Sequence, residues 1–141
     1  MLGDPSIRRV VITGAGPSFC SGGDLDEFGT LPDPATAHAI RSTRNPARLV
    51  AACADRLRFE VHGACVGAGV ELPAFASHVV ATPDAYFQLP EVSMGLVPGA
   101  GGTVSIPRRI GRQRTAYMAL SGQRIDVEVA LRWGLVDEVV R

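Results

Sequence analysis

The chain has 141 residues, 46% hydrophobic and 20% charged, with a formal net charge of zero, which suits one folded domain with a real core rather than a disordered chain. Zero net charge gives no electrostatic case for nucleic acid or an anionic membrane as partner. All 14 basic residues are arginine, which excludes a Schiff-base lysine and a phosphate-loop lysine. In chain order, Val10–Thr13 is β-branched and apolar up to Gly14 and predicts a short buried strand. Gly14 to Gly23 predicts a loop, after which Asp24 can cap a short helix. Leu31-Pro32-Asp33-Pro34 breaks the chain, and Asp33 then caps a helix with Pro34 at its first position. Asn45-Pro46 kinks or restarts that helix, which runs on to about Ala54. Leu57–Val61 alternates apolar and charged residues, as a half-buried strand does, and His62-Gly63 ends it. Gly67-Ala68-Gly69 leads into a helix through about Ala76. Val79–Ala81 and Ala85–Gln88 predict two further strands. Short helices follow near Thr103–Pro107 and Gly111–Leu120, and Asp126 caps another that stops at Gly134. Residues 135–140 predict a last strand or extended segment. Strands alternating with helices predict an α/β fold with parallel pairing, with residues 1–141 as a single domain.

Cys20, Cys53 and Cys65 are widely spaced and form no C-x-x-C pair, which argues against a disulfide framework and suits a reducing compartment. The charges in Met1-Leu2-Gly3-Asp4-Pro5-Ser6-Ile7-Arg8-Arg9 interrupt any signal-peptide core, and no apolar run reaches the length of a membrane span. A cytoplasmic protein without a membrane segment is expected.

The chemistry concentrates in three glycine-rich segments. Glu91 follows Pro90 and precedes the nearly uncharged Gly95-Leu-Val-Pro-Gly-Ala-Gly-Gly102. Glu71 lies in Gly67-Ala68-Gly69-Val70-Glu71-Leu72. Two acids in apolar, glycine-dense surroundings suggest proton handling, because such surroundings raise a carboxyl pKa towards neutrality. Glu71 can equally be a first-turn glutamate that satisfies a helix dipole; Glu91 has no such simple structural reading. The third segment, Phe19-Cys20-Ser21-Gly22-Gly23-Asp24-Leu25, is either an ordinary strand-to-helix turn or a place where the Gly23 N–H faces an oxygen that becomes anionic.

Rival motifs fail. Gly14-Ala-Gly16-Pro-Ser-Phe19 puts Phe19 where a dinucleotide fingerprint needs its third glycine. No G-x-S-x-G nucleophile elbow occurs. His38, His62 and His78 lack metal-ligand spacing. Arg108, Arg109, Arg112 and Arg114 form either a solvated basic face or a contact to phosphate or a partner subunit. Cys20 has no base beside it and reads as a packing residue.

Taken together, the three segments make the chain resemble the enoyl-CoA hydratase/isomerase, or crotonase, family from about Arg9 to Val140. The resemblance implies a crotonase-like spiral of repeated ββα units. It assigns the amides of Gly23 and Ala68 to an oxyanion hole for a thioester carbonyl; many relatives have glycine where Ala68 stands, but alanine keeps the N–H. Ser21, Asp24, Leu25, Asp26 and Gly67 are implied substrate-binding positions, with Asp24, Leu25 and Asp26 on the coenzyme A side. Glu71 and Glu91 are the implied catalytic acids. Hydratases in the family carry both and isomerases often keep only the one matching Glu91. The resemblance therefore implies an enoyl-CoA hydratase, with an isomerase or a crotonase-like module lacking full activity as alternatives. An acyl-CoA thioester is the implied partner, no metal or separate cofactor is needed, and a homo-oligomer (trimer or hexamer) is implied. Family members are longer, so the chain is expected to be truncated at the N-terminal strands and to lack the C-terminal helical segment, with coenzyme binding, closure and assembly affected. Ser77 stands where relatives often have Asp, and Pro73 sits inside the helix that follows Glu71.

Overall fold

The structure is a computed structural model that describes residues 4, 6–27, 30, 33–43 and 45–140. The N-terminal stretch Met1-Leu2-Gly3 and the break at Leu31-Pro32 lie outside the described residues. Four parallel strands, β1 (Val10–Thr13), β2 (Leu57–Val61), β4 (His78–Ala81) and β7 (Glu138–Val139), form one sheet in the order β1-β2-β4-β7. A second sheet has the order β3-β5-β6, with β3 (Ala64–Val66) parallel to β5 (Tyr86–Gln88) and β6 (Ile125–Asp126) antiparallel to it.

The connectivity is a repeated unit. β2 joins the first sheet, turns at His62-Gly63, and continues as β3 in the second sheet before a helix follows. β4 and β5 repeat the pattern one position over. β1 begins the same path, since Cys20 downstream of it bridges in parallel to Cys65 of β3. Alternation on β2 buries Leu57, Phe59 and Val61 and leaves Arg58 and Glu60 to pair at 3.0 Å, as a strand covered on one face requires. Phe59, Val79, Phe87, Ile106, Met118 and Val136 come from both sheets and three later segments, yet they share one buried cluster.

The helices begin where local chemistry places them. Asp33 Oδ1 accepts from the Thr36 N–H at 2.8 Å ahead of α1 (Pro34–Thr43). Asn45 Oδ1 accepts from the Ala47 N–H at 2.9 Å and starts α2 (Pro46–Ala52). Asp126 caps α6 (Val127–Trp133), which stops at a left-handed Gly134. Between them lie α3 (Ala68–Glu71), α4 (Gly102–Ile110) and α5 (Arg112–Ser121).

Two expectations need correction. The helix expected to run through Ala76 stops at Glu71 and resumes as a separate 3-10 turn, Pro73–Phe75, because Pro73 has no N–H to continue the ladder. The helix expected to reach Ala54 ends at Ala52, and Ala54–Arg56 is its own 3-10 turn. β3 and β6 were not expected at all. Ser77 Oγ donates to Leu57 O at 3.1 Å, and so ties the start of β4 to β2. Arg109 lies in the basic cluster but is a clamp: it donates to Gly134 O, Leu135 O and Ala76 O and pairs with Asp137 at 3.0 Å. Arg114 donates to Trp133 O and sits over the Trp133 ring. Among the described residues no helix is long and apolar enough to cross a membrane.

Candidate active site

A cavity of about 580 Å³ opens where the three glycine-rich segments meet. Gly22 and Gly23 line it from the first segment, Gly67, Ala68 and Glu71 from the second, and Glu91 with Leu96, Val97, Gly99 and Ala100 from the third. The first two are held side by side by the Cys20 bridge: Cys20 N donates to Ala64 O at 3.1 Å, and Val66 N donates to Cys20 O at 2.9 Å. Cys20, read from sequence as packing, thus fixes where the Ser21–Gly23 turn begins.

Glu91 opens the 3-10 turn Glu91–Met94 directly after Pro90 and is only 9% exposed. Its Oε2 is buried with no hydrogen-bond partner among the described residues. Burial raises its pKa above the usual carboxyl value, since a carboxylate out of water is costly and the neutral acid is favoured. Gly67 lets this side chain in. Its φ of +54° and ψ of −116° disfavour other residues, and a Cβ there would lie 2.8 Å from Glu91 Oε1.

Glu71, 2% exposed, ends α3. Its Oε2 accepts from the Gly102 N–H at 2.7 Å. A Cβ on Gly102 would stand 2.6 Å from Glu71 Cγ, so only glycine lets α4 come this close. Burial pushes the Glu71 carboxyl up to about 7; the Gly102 N–H pulls the other way, the charge of Glu91 adds to the rise, and the Ala100 N–H opposes it. Glu71 is thus poised to change charge near neutrality, and burial shifts its neighbour Glu91 in the same direction.

The rise at Glu71 has a consequence for stability. Between its ordinary value of 4.5 and about 7 the folded chain holds a proton that the unfolded chain has released. Stability therefore falls as pH rises through that window and stays reduced above it; the raised Glu91 acts with the same sign. In Glu71→Gln this decline should be shallower, measured as the urea midpoint against pH. An equally steep decline in the variant would show that Glu71 does not titrate there.

Neither the Gly23 nor the Ala68 N–H finds an acceptor among the described residues. Both residues line the cavity, and Ala68 is the first residue of α3, ahead of any intrahelical bond for its N–H. Two unspent backbone donors beside two buried carboxyls can bind an oxygen that gains charge while protons move nearby. Of the other expected positions, Ser21, Leu25 and Gly67 line the cavity and Asp24 and Asp26 do not. Asp24 Oδ1 instead accepts from the Asp26 N–H at 3.0 Å, and both residues are exposed. The histidines also lie away from the cavity: His62 bonds Gly16 O, and His78 faces Asp137 and Glu138. Sequence reasoning missed Asn45, Met94 and Pro46 on the cavity wall. It also missed Gly102 and Ser105, whose contacts with Glu71 span 31 and 34 residues.

Known proteins share this arrangement of chain. The 2,3-dehydroadipyl-CoA hydratase of Escherichia coli is 40% identical over 136 residues, covering 96% of this chain and 52% of that protein. The 1,2-epoxyphenylacetyl-CoA isomerase of the same organism is 35% identical over 141 residues, covering 97% of this chain and 54% of that protein. The crystal structure of an enoyl-CoA hydratase from Thermoplasma volcanium matches with a TM-score of 0.86 at 37% identity, covering 94% of this chain and 54% of that one. The chain thus spans about half the length of the relatives it matches. The two-sheet α/β architecture is that of the crotonase fold. With residues 1–141 all matching the family described as enoyl-CoA hydratase/isomerase, the chain belongs to that family.

Proposed function

We propose that this chain carries the reacting centre of an enoyl-CoA hydratase, which adds water across the α,β double bond of an acyl-CoA thioester. The observation that carries the reading is the pair Glu71 and Glu91, both buried on one cavity with two unspent backbone N–H groups. The Gly23 and Ala68 amides hold the thioester oxygen as it gains enolate character, and each such donor is worth roughly 2.7–4 kcal/mol. Glu71, deprotonated above about pH 7, takes a proton from water as the water oxygen bonds the β carbon. Glu91, in the protonated form that its burial favours, gives its proton to the α carbon. After turnover Glu71 holds a proton and Glu91 a charge, and exchange with solvent resets both. Coenzyme A is part of the substrate, and these steps use no other cofactor.

Isomerisation is the second reading. Glu91 keeps an oxygen free of hydrogen bonds, while Glu71 Oε2 is already engaged by Gly102; a single acid can move a proton between the α and γ carbons. Reduced thiols at Cys20, Cys53 and Cys65 support a reducing, cytoplasmic setting. A homo-oligomer belongs to the same reading, with α5, where Leu120 is 74% exposed, as the surface it would share. The test is loss of the conjugated enoyl-thioester absorbance when the full chain is mixed with short and medium acyl chains. Hydration should rise with pH through an acid limb near 7. A shift of the double bond with no hydrated product would select the isomerase.

A further inference from the structure

We infer that Ser105 is a positioning residue for the candidate base: it holds the Glu71 backbone so that the Glu71 carboxylate stays seated on the start of α4. This rests on the reading of Glu71 as the group that activates water. Ser105 is 1% exposed, and its Oγ donates to Glu71 O at 2.7 Å. A serine inside a helix ordinarily turns back to the carbonyl four residues earlier. Here that carbonyl, Gly101 O, accepts the Val104 and Ser105 N–H groups, and the hydroxyl crosses to another helix.

The reason lies in the break after α3. The helix ends at Glu71, and Pro73 supplies no N–H. Phe75 N turns to Leu72 O, so Glu71 O accepts from no backbone N–H among the described residues. A buried carbonyl left this way is costly, and the Ser105 hydroxyl satisfies it.

One turn earlier on α4, the Gly102 N–H holds Glu71 Oε2 at 2.7 Å. Residues 102 and 105 of one helix therefore grip the two ends of one residue, its carboxylate and its backbone carbonyl. A glutamate has several side-chain torsions to lose on ordering, and two grips on one rigid element remove that freedom. The carboxylate then keeps one orientation towards the cavity whether or not substrate is present.

The charged surroundings are simple. Glu91 is the charged group whose field acts on Glu71. On the elements packed against α3, Cys65 of β3 is a neutral thiol pushed up to about 12, and Tyr86 is the titratable group of β5. Arg108 and Arg109 lie in the last turn of α4, the latter paired with Asp137.

The experiment is Ser105→Ala in the full chain, with Ser105→Cys beside it. Hydration kcat should fall roughly tenfold or more while KM stays within about twofold, the pattern of a misplaced group rather than lost binding. The acid limb should move to higher pH, because a looser carboxylate loses part of the Gly102 N–H that favours its charged form. A readout free of substrate accompanies this. The Gly102 amide proton, followed by NMR, should titrate with Glu71 in the original chain and lose most of that response in Ser105→Ala. Ser105→Cys keeps the volume and a weaker donor, so it should fall between the two, and it carries the comparison if the alanine chain does not fold. A variant whose acid limb and Gly102 titration both match the original would overturn the positioning role, whatever its stability. A changed Gly102 titration in a chain that hydrates no enoyl thioester would support the grip on Glu71 and sink the hydratase reading instead.

Discussion

Glu91→Gln is expected to lower hydration by roughly 10²–10⁴-fold, the usual contribution of a positioned acid or base, with the thioester still bound. Glutamine keeps the shape of the side chain but cannot deliver the proton the α carbon needs. The expectation comes from the buried Oε2 without a partner among the described residues and the carboxyl pushed towards its neutral form: an acid held this way, 9% exposed at a cavity, costs the fold stability with no structural return, as a proton-transfer group does. Glu71→Gln should depress hydration by a similar factor, because water would lose its base. The two variants separate the two reactions. If Glu71→Gln still moves the double bond while Glu91→Gln does neither reaction, the acid acts alone in an isomerase. Turnover close to the original in both variants would remove the carboxyl pair from the mechanism. Stopped-flow absorbance with thioester binding measured separately distinguishes these outcomes.

Gly67→Ala should be nearly as damaging to activity although it removes no functional group. The backbone there sits at φ +54° and ψ −116°, a conformation whose occupation by a residue with a Cβ costs about 1–3 kcal/mol. The new methyl would also lie 2.8 Å from Glu91 Oε1, so the acid must rotate or the loop must shift. A displacement of that kind can cost about 10²-fold in rate. We expect a lower unfolding midpoint together with a kcat loss that persists at temperatures where the variant is fully folded. A folded variant with unaltered kcat would show that Glu91 does not need the space that Gly67 leaves.

Much of the fold was legible because its signals are local. β1 and β2 begin and end where their apolar patterns do, at Val10–Thr13 and Leu57–Val61. The Asp33-Pro34, Asn45-Pro46 and Asp126…Gly134 boundaries follow from capping side chains and a left-handed glycine a few residues apart. What was missed depends on partners far along the chain. Ala64–Val66 is a strand because Tyr86–Gln88 pairs with it, and nothing in Ala-Cys-Val favours that over a loop. Ile125–Asp126 is a strand by the same dependence on β5.

The site divides in the same way. Glu71 and Glu91 stood out as carboxylates in apolar, glycine-dense segments, and the structure buries both on one cavity. Asp24 and Asp26 lie beside the right turn, but their local hydrogen bond belongs to a short exposed 3-10 helix rather than to the cavity. Ser105 and Gly102 carried only a faint signal, a serine on the buried stripe of α4 and a second glycine before it. Their meaning depends on Glu71, more than thirty residues away.

The central claim is that this cavity adds water to an enoyl thioester. The most direct measurement incubates the full chain with an enoyl-CoA in water labelled with heavy oxygen and examines the product by mass spectrometry. The account predicts a 3-hydroxyacyl-CoA that carries one labelled oxygen on the β carbon, formed fastest above about pH 7 and lost in a Glu71→Gln, Glu91→Gln double variant. Recovery of the enoyl thioester with no 3-hydroxyacyl-CoA formed, under conditions where binding is shown and the chain is folded, would contradict it.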